Sequence, residues 1–421
     1  MINPNNLLIV TYWSFSDALI QAYTLPYVRI IRRKLPPGSL IYLFTLEQKS
    51  HALSNREKQQ IASRLYHEGI IWKPFQYSPF GIKMMVKWAY ILIRLIILIF
   101  HDSINTIHAW CTPAGAIGYI LSRLTGRSLV LDSFEPHAEP MVEAGQWSDK
   151  SSAFRLLFAM EKKQAKHADV VIGCVDKMKV YAQEKYEVQL KKFYSKPACV
   201  NFSLFDFEKA KNEELLTELG LNDKVVCVYA GKFGGSYLKQ EVFDFFRTCY
   251  DQWGEVFRVL LLSAHSRDEV EKWALCASVP PELIIQQFVP HSDVPAYIGL
   301  GDFAIVPFVP VPSKRYGSPI KTGEYMAMGL PIVITKDISD DSDLIVRDNI
   351  GDVLQQLNRE EYQKAVQKID RLLGGNQRVL QKRIAALAHE LKSFDHASAV
   401  YDNIYCKEKK TEKYHEAVLM S

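Results

Sequence analysis

The chain has 421 residues, 48% of them hydrophobic and 12% aromatic, so it exceeds one ordinary domain and can form two cores of about 200 residues each. The net charge of +4 conceals an asymmetry: residues 1–200 carry 25 Lys and Arg against 15 Asp and Glu, and the remainder carries 26 against 32. The basic half suits an anionic membrane surface better than nucleic acid, because zinc-finger spacings, RNP-like strings and helix-turn-helix signatures are missing from the sequence.

The N-terminal stretch MINPNNLLIVTYW lacks the basic region, apolar run and cleavage site of a secretory signal, so we expect a cytoplasmic protein. The seven cysteines show no C-x-x-C pair and no His/Cys ligand spacing. We therefore expect reduced, mostly buried thiols rather than disulfides or a metal site. We also expect no cofactor.

Short β-branched runs alternate with amphipathic stretches in both halves, which predicts parallel sheets covered by helices. The predicted strands lie near residues 7–11, 40–44, 106–109, 129–132, 170–172, 225–229, 257–262, 284–288, 303–307 and 332–335, with a strand-like run at 198–202. This pattern indicates two Rossmann-like domains, at 1–205 and 206–390, and a C-terminal crossing helix and tail at 391–421.

The apolar stretch 84–100 is shorter than the usual ~20 residues of a membrane span and contains Lys87 and Arg94. It suits either a buried domain helix or a helix lying in the plane of a membrane, with Lys83, Lys87 and Arg94 at the headgroups.

Polar residues follow two predicted strands of the first half. His108 ends one strand, and the next runs through Asp132 into a polar loop with Glu135 and His137. Because ligands bind at the carboxyl ends of parallel strands, these side chains are candidates for a ligand site. His108 could equally be a core histidine bonded to the backbone, and His137 an ordinary loop residue.

A glycine-rich turn, YAGKFGG at 229–235, follows the first strand of the second half. Gly231, Gly234 and Gly235 would let backbone N–H groups approach a phosphate, and Lys232 and Lys239 would add charge. Alone, such a turn is weak evidence, since most are only tight turns.

The most informative stretch is SPIKTGEYMAMGLP at 318–331. Ser318 is a favourable N-cap and Pro319 a favourable first helical residue, which places Lys321 in the first turn. A cation there opposes the helix dipole unless an anion such as phosphate lies between the lysine and the helix N-terminus. The backbone N–H groups of Ser318 and Ile320 would then donate to that anion. Glu324 shares the helical face of Lys321 and could accept hydrogen bonds from paired sugar hydroxyls. A solvated surface Lys–Glu pair is the alternative.

A second short motif, Asp341-Ser342-Asp343, has the D-x-D spacing of paired carboxylates that can bind a divalent metal. It lies in an acidic loop, and we interpret it as loop and N-cap chemistry for a helix over 344–347 rather than as a metal site.

The string SPIKTGEYMAMGLPIV closely resembles the donor-site signature of glycosyltransferase family 4 (group 1), S-P-x-K-x-x-E-Y-x-A-x-G-x-P-V. The order of the first-half motifs is similar to that family's acceptor domain. The resemblance implies the GT-B fold, two Rossmann-like domains facing across a cleft with C-terminal helices crossing back. It also implies sugar transfer from a nucleotide-diphosphate-sugar to an acceptor hydroxyl with retention of configuration, in surface polysaccharide or glycolipid assembly.

In this interpretation Lys232 and Lys321 stabilise the leaving diphosphate, Glu324 holds the ribose, and Asp132 lies near the transferred sugar. His108, Glu135 and His137 would contact a glycan or lipid-linked acceptor, on a protein that is cytoplasmic or peripheral on the inner face of the membrane. One departure is Tyr316, where the family often has a second Glu. A nucleotide-sugar epimerase and a non-catalytic partner subunit remain as alternatives.

Overall fold

The computed structural model describes residues 4–78 and 84–406, and the chain in it forms two compact α/β units. The first takes in the described residues up to Glu139, Asp149–Lys196 and those from Asp395 onward; the second contains Pro140–Ser148 and Pro197–Phe394. The chain crosses between units after Lys196 and after Phe394, whereas the sequence-based boundaries lie at 205/206 and 390/391. Residues 140–148, assigned by sequence to the first domain, group with the second unit.

The first unit has a parallel sheet of seven strands in the order β3-β2-β1-β4-β5-β6-β7. Its elements are β1 Asn6–Val10, a π-helical turn Leu19–Thr24, α1 Leu25–Lys34, β2 Ile41–Glu47, α2 Asn55–His67, β3 Ile70–Gln76, α3 Met85–His101, β4 Ile104–Trp110, α4 Cys111–Thr125, β5 Ser128–Phe134, the start of α5 Ala138–Glu143, whose residues from Pro140 onward group with the second unit, α6 Ser152–His167, β6 Val170–Gly173, α7 Lys177–Glu184 and β7 Phe193–Ser195. The last helix of the described chain, Phe394–Tyr405, returns to this unit.

The second unit has a parallel sheet of six strands in the order β10-β9-β8-β11-β12-β13. Its elements are α8 Glu213–Glu218, β8 Val225–Ala230, α9 Gln240–Trp253, β9 Phe257–Leu262, α10 Arg267–Cys276, β10 Ile284–Gln287, α11 Val294–Ile298, β11 Phe303–Val306, α12 Ile320–Ala327, β12 Ile332–Thr335, α13 Asp341–Arg347, β13 Gly351–Leu354, α14 Arg359–Leu373 and α15 Gln377–Lys392. The returning helix Phe394–Tyr405 is α16.

Both sheets have the strand order of a doubly wound Rossmann fold, so the predicted fold class is confirmed. In each sheet the chain reverses direction of winding between the first and fourth strands, β1 and β4 or β8 and β11. The carboxyl ends of those strands form the crevice in which such sheets bind ligands. These two edges therefore decide where the functional residues should be sought.

The ten predicted strands are present, with ends shifted by at most three residues. Three strands were missed, β3, β7 and β13, and each lies at an edge of its sheet. An edge strand is covered on fewer sides and carries a weaker apolar signal, and β3 also contains Pro74, which a central strand would not tolerate. The expected strand at 198–202 was wrong: Ala198, Cys199 and Val200 are buried, but the Val200 N–H donates to the Lys392 carbonyl outside any ladder.

Helix α3 buries one face and exposes the other. Trp88, Ile91, Leu95 and Ile99 are buried against the unit, whereas Ile93 and Ile97 are 55% and 57% exposed. The exposed apolar side chains of this face are Met85, Val86, Tyr90, Ile93, Ile97 and Phe100. Within the described ranges, the structure contains no helix with the length and hydropathy needed to span a membrane.

Candidate functional site

The helix with the lysine–glutamate motif, α12, begins at Ile320, one residue later than predicted. Ser318 is not its cap, because the Ser318 hydroxyl accepts the Ala198 N–H at 3.0 Å instead. Pro319 occupies the N-cap position with extended backbone and provides no side-chain cap. The first-turn N–H groups of α12 therefore have no capping side chain, a condition that favours an anion there. After the helix, Gly329 takes a φ of 76°, as a terminating glycine should.

Lys321 lies in the first turn of α12, above the carboxyl end of β8. A Cβ placed on Gly231 would lie 2.6 Å from the Lys321 Cε and 2.8 Å from its Nζ, so only glycine leaves room for this lysine. The Lys321 Nζ is 4.2 Å from the centroid of the Tyr237 ring and 5.8 Å from that of Tyr229. Among the described residues, no carboxylate comes within ion-pair distance of it.

Two contacts fix α12 against the end of β8. The Tyr325 hydroxyl accepts the Ala230 N–H at 2.8 Å, and the helix packs its buried residues Tyr325 and Met326 into the core of the unit. Because Tyr325 is fully buried and follows Glu324 directly, its position determines which face of α12 points toward the glycine-rich turn. Neither Tyr325 nor Tyr237 was predicted from the sequence to belong to the site.

Glu324 is half-buried on the same helical face as Lys321. Burial raises the pKa of the Glu324 carboxyl to about 7, against the smaller opposing effect of the Lys321 charge. The carboxyl thus changes charge near neutral pH, and in its ionised form it can accept two hydrogen bonds.

The glycine-rich turn is held by hydrogen bonds that occupy part of its backbone. The Gly231 N–H donates to the Leu262 carbonyl at 2.8 Å, and the Phe233 N–H donates to the His265 Nε2 at 3.0 Å. The Tyr229 hydroxyl donates to the Lys232 carbonyl at 2.6 Å. Within residues 4–78 and 84–406, the N–H groups of Lys232 and Gly235 donate to no other group and remain for a ligand, whereas the Gly234 backbone forms a bridge with Tyr237. Gly234 and Gly235 have φ values of 82° and 65°, which explains two glycines in sequence.

The two lysines expected to add charge to the glycine-rich turn, Lys232 and Lys239, lie in different surroundings. The Lys232 side chain is exposed, next to Gly231. The Lys239 ammonium lies 5.6 Å from the Trp273 ring centroid instead, and Lys239 is the N-cap residue of α9. The structure thus brings Gly231, Lys321 and Glu324 together, with Lys232 nearby, and does not bring Lys239 to them.

In the first unit, Asp132 lies in a sealed polar cluster. Its carboxylate is fully buried, 3.2 Å from the Lys196 Nζ, and accepts the Tyr401 hydroxyl at 2.7 Å. His108 is also fully buried, with its Nε2 3.2 Å from Asp132 and its Nδ1 2.6 Å from the Tyr405 hydroxyl. Tyr401 and Tyr405 belong to α16, so this cluster fastens the returning helix to the unit.

Burial by itself would raise the pKa of Asp132, but the Lys196 charge, His108 and the Tyr401 hydroxyl outweigh it and hold the pKa well below its ordinary value. The Lys196 Nζ also lies 3.7 Å from the Tyr27 ring centroid. No face of Asp132 or His108 is open to a sugar, so the roles expected for them in catalysis and acceptor binding stay predictions that this geometry does not support. Neither Lys196 nor Tyr401 belongs to a local sequence motif, because their contacts with Asp132 join residues far apart in the chain.

Glu135 and His137 are half-buried in the loop after β5. Glu161 anchors this loop from α6: one of its carboxylate oxygens accepts the N–H groups of His137 and Ala138, each at 2.9 Å. The His137 Nδ1 is 3.1 Å from the Glu135 carbonyl. Both side chains keep partial access to solvent, and their expected contact with an acceptor stays a prediction.

The D-x-D motif is the first turn of α13, which begins at Asp341 rather than at 344. Its N-cap position is Asp340, without a side-chain cap, so the expected N-cap role of the motif was wrong. Asp341 is buried and accepts the Lys392 ammonium at 2.6 Å. Across residues 4–78 and 84–406, no group of His, Cys, Asp or Glu side chains is arranged to hold a metal ion.

The second unit matches a known protein family. Residues 225–374 match the family model described as "Glycosyl transferases group 1". No curated protein matches the chain in sequence.

Several solved structures share the fold. Sucrose-phosphate synthase from Thermosynechococcus elongatus superposes with a TM-score of 0.70 at 14% identity, covering 96% of this chain and 98% of that one. Anabaena HepE in complex with UDP has a TM-score of 0.68 at 13% identity, covering 95% and 99%. WaaG, a glycosyltransferase involved in lipopolysaccharide biosynthesis, has a TM-score of 0.69 at 12% identity, covering 95% and 99%.

The structural likeness extends over nearly the whole chain, and the family match covers the part of the second unit that contains Gly231, Lys321 and Glu324. The chain therefore has the GT-B fold, and residues 225–374 of its second unit form a group 1 glycosyl transferase domain.

Proposed function

We propose that the protein transfers a sugar from a nucleotide-diphosphate-sugar to an acceptor hydroxyl, with retention of anomeric configuration. The observation that carries the proposal is the placement of Lys321 and Glu324 on one face of α12, over the carboxyl end of β8. A cation and an ionisable carboxyl on one helical face match the two ends of a nucleoside diphosphate, the phosphates and the ribose.

The diphosphate would contact Lys321 and the uncapped N–H groups at the start of α12, with Lys232 adding charge from the turn. As the bond between sugar and diphosphate lengthens, negative charge develops on the leaving group. Contacts that strengthen with that charge lower the barrier, whereas contacts that hold donor and transition state equally do not raise the turnover number. Lys321 should therefore act mainly on turnover.

Glu324 would accept hydrogen bonds from the two ribose hydroxyls. The ionised carboxylate can accept a hydrogen bond from each ribose hydroxyl, whereas the protonated carboxyl keeps one oxygen occupied by its own proton. Donor binding should therefore favour release of the Glu324 proton. The HepE structure contains UDP, which makes UDP-sugars the first donors to test here.

We further propose that the acceptor is a lipid-linked or glycan alcohol of surface polysaccharide or glycolipid assembly, met at an anionic membrane surface on the cytoplasmic side. Support comes from the excess of basic residues in 1–200 and from the exposed apolar face of α3. On this helix Arg94 lies against the Tyr90 ring, and the Lys87 ammonium donates to the Tyr77 carbonyl at 3.4 Å. Lys83, the third basic residue of the predicted pattern, lies outside the described residues.

We also propose that catalysis needs no divalent metal, since lysines and helix N–H groups can neutralise the leaving diphosphate. The buried pairing of Asp341 with Lys392 supports this, because that carboxylate already has a cationic partner.

The experiment incubates the purified chain with candidate sugar nucleotides and a lipid-diphosphate acceptor, then detects products by mass spectrometry. A product heavier than the acceptor by one sugar residue supports transfer. Conversion of the sugar nucleotide into an isomer without transfer would indicate an epimerase, and nucleotide binding without any product a non-catalytic subunit.

A further inference from the structure

We propose that Tyr237 is a positioning residue for Lys321, whose ring holds the lysine ammonium at the place where the donor diphosphate binds. This inference rests on the proposed function, because it assigns a device to the lysine that the proposed function places on the diphosphate.

The first observation is that Lys321 stands where its charge is unfavourable. It lies in the first turn of α12, at the positive end of the helix dipole, and within the described chain it has no ion-pair partner. The face of the Tyr237 ring, 4.2 Å from the Lys321 Nζ, supplies negative electrostatic potential instead. The more distant Tyr229 ring, at 5.8 Å, adds to it.

The second observation is that Tyr237 is itself held firmly. Its backbone forms isolated bridges with Gly234 and with Phe308, and its ring packs on the Phe308 ring at 4.6 Å between centroids. The next residue, Leu238, donates its N–H to the Pro307 carbonyl at 2.8 Å. The ring therefore has a fixed position at the carboxyl ends of β8 and β11, the ligand crevice of this sheet.

Together these contacts restrict a side chain that is flexible by nature. A free lysine loses considerable rotamer freedom when it binds a phosphate, and a lysine already held by a ring loses less. The ring occupies one side of the ammonium group and leaves N–H donors for phosphate oxygens. Glycine at 231 is part of the same arrangement, because any side chain there would displace Lys321 from the ring.

The test is a double-mutant cycle on nucleotide binding by the full-length chain. UDP, GDP, ADP and dTDP carry the charge of the departed diphosphate, so their binding reports the contact that Lys321 strengthens in the transition state. They are titrated calorimetrically into the parent, and the nucleotide that binds tightest is carried through all variants. Tyr237→Leu removes the ring and should weaken binding about fivefold, the effect of a modest cation–π contact. Tyr237→Phe keeps the ring and should bind like the parent. In a Lys321→Ala background, Tyr237→Leu should have no further effect.

Each other outcome contradicts a specific part. If no nucleotide binds the parent, or Lys321→Ala binds and turns over donor like the parent, the proposed function fails. If Lys321→Ala is impaired but Tyr237→Leu binds normally, binds more tightly, or weakens binding equally in the Lys321→Ala background, the positioning role fails. Tyr237→Met is a second ring-free variant in case the leucine variant does not fold, and failure of both to fold would show a purely structural ring.

Discussion

Replacing Asp132 by Asn tests whether the buried cluster of the first unit is structural. The substitution keeps the size of the side chain and removes its charge, which leaves the fully buried Lys196 ammonium without its carboxylate 3.2 Å away. It also disturbs the hydrogen bonds from Tyr401 and His108. Both partners hold α16, so the loss should appear as a loss of folding stability.

The magnitude follows from the burial of both charges. Removing one partner of a buried ion pair costs about 3–5 kcal/mol, because the other charge remains desolvated and unpaired. The aromatic rings around Lys196, with Tyr27 at 3.7 Å, offset about 1–2 kcal/mol of this. We therefore expect Asp132→Asn to lower the free energy of unfolding by about 1–4 kcal/mol.

Lys196→Met should cost less, because the Asp132 carboxylate keeps the Tyr401 and His108 contacts. The double variant removes both charges. Its loss of unfolding free energy should be smaller than the sum of the two single losses by about 1 kcal/mol or more. Equilibrium urea unfolding at pH 7, followed by tryptophan fluorescence and circular dichroism, measures these differences.

The pH dependence has a definite sign. The folded-state pKa of Asp132 is depressed, so its contribution to stability is present above the unfolded value of about 3.9 and is lost as the pH falls through the folded value. Asp132→Asn should therefore lose less stability on acidification than the parent. An Asp132→Asn variant within about 0.5 kcal/mol of the parent, with additive single effects, would refute the structural assignment and revive the catalytic one.

Three further predictions concern the donor site, the membrane and the metal. Since the pKa of Glu324 is about 7, affinity for a sugar nucleotide should rise about tenfold from pH 6 to pH 8; UDP-glucose is a suitable probe because its own diphosphate does not titrate in that range. Glu324→Gln should bind weakly and show no such rise. If Glu324→Gln kept the pH profile of the parent, the ribose role would be contradicted. Replacing Ile93 and Ile97 by Ser should leave the thermal melt nearly unchanged, because both side chains are more than half exposed, but should reduce flotation with anionic liposomes. Leu95→Ser is the control at a buried position. If the parent showed no preference for anionic liposomes at low salt, membrane docking would be refuted. Activity should survive a chelator, and loss that manganese or magnesium restores would reopen the assignment of Asp341.

Much of the fold was predictable because central parallel strands are buried on both faces and appear as apolar runs. The edge strands β3, β7 and β13 lack that signal, and burial without pairing at residues 198–202 imitated it. The match of SPIKTGEYMAMGLP to a short local pattern located the donor helix, since its charges and its stop signals lie within one element.

The rest of the site depends on contacts between distant parts of the chain. Tyr237 and Lys321 are 84 residues apart in the sequence, and no sequence pattern around either residue indicates their contact. In the same way, Asp132 ends a strand as a catalytic residue would, but its partners Lys196 and Tyr401 come from elsewhere and close it off. Local patterns show which residues could act, and tertiary packing decides which remain accessible.

The turnover of Lys321→Ala tests the central claim most directly. The measurement compares initial transfer rates of parent and variant at saturating donor, with thermal melts to confirm that both are folded. If Lys321 stabilises the departing diphosphate, the turnover number should fall by about 100-fold or more, the effect of removing one donor that acts on developing charge. A folded Lys321→Ala variant that turns over like the parent would contradict the account.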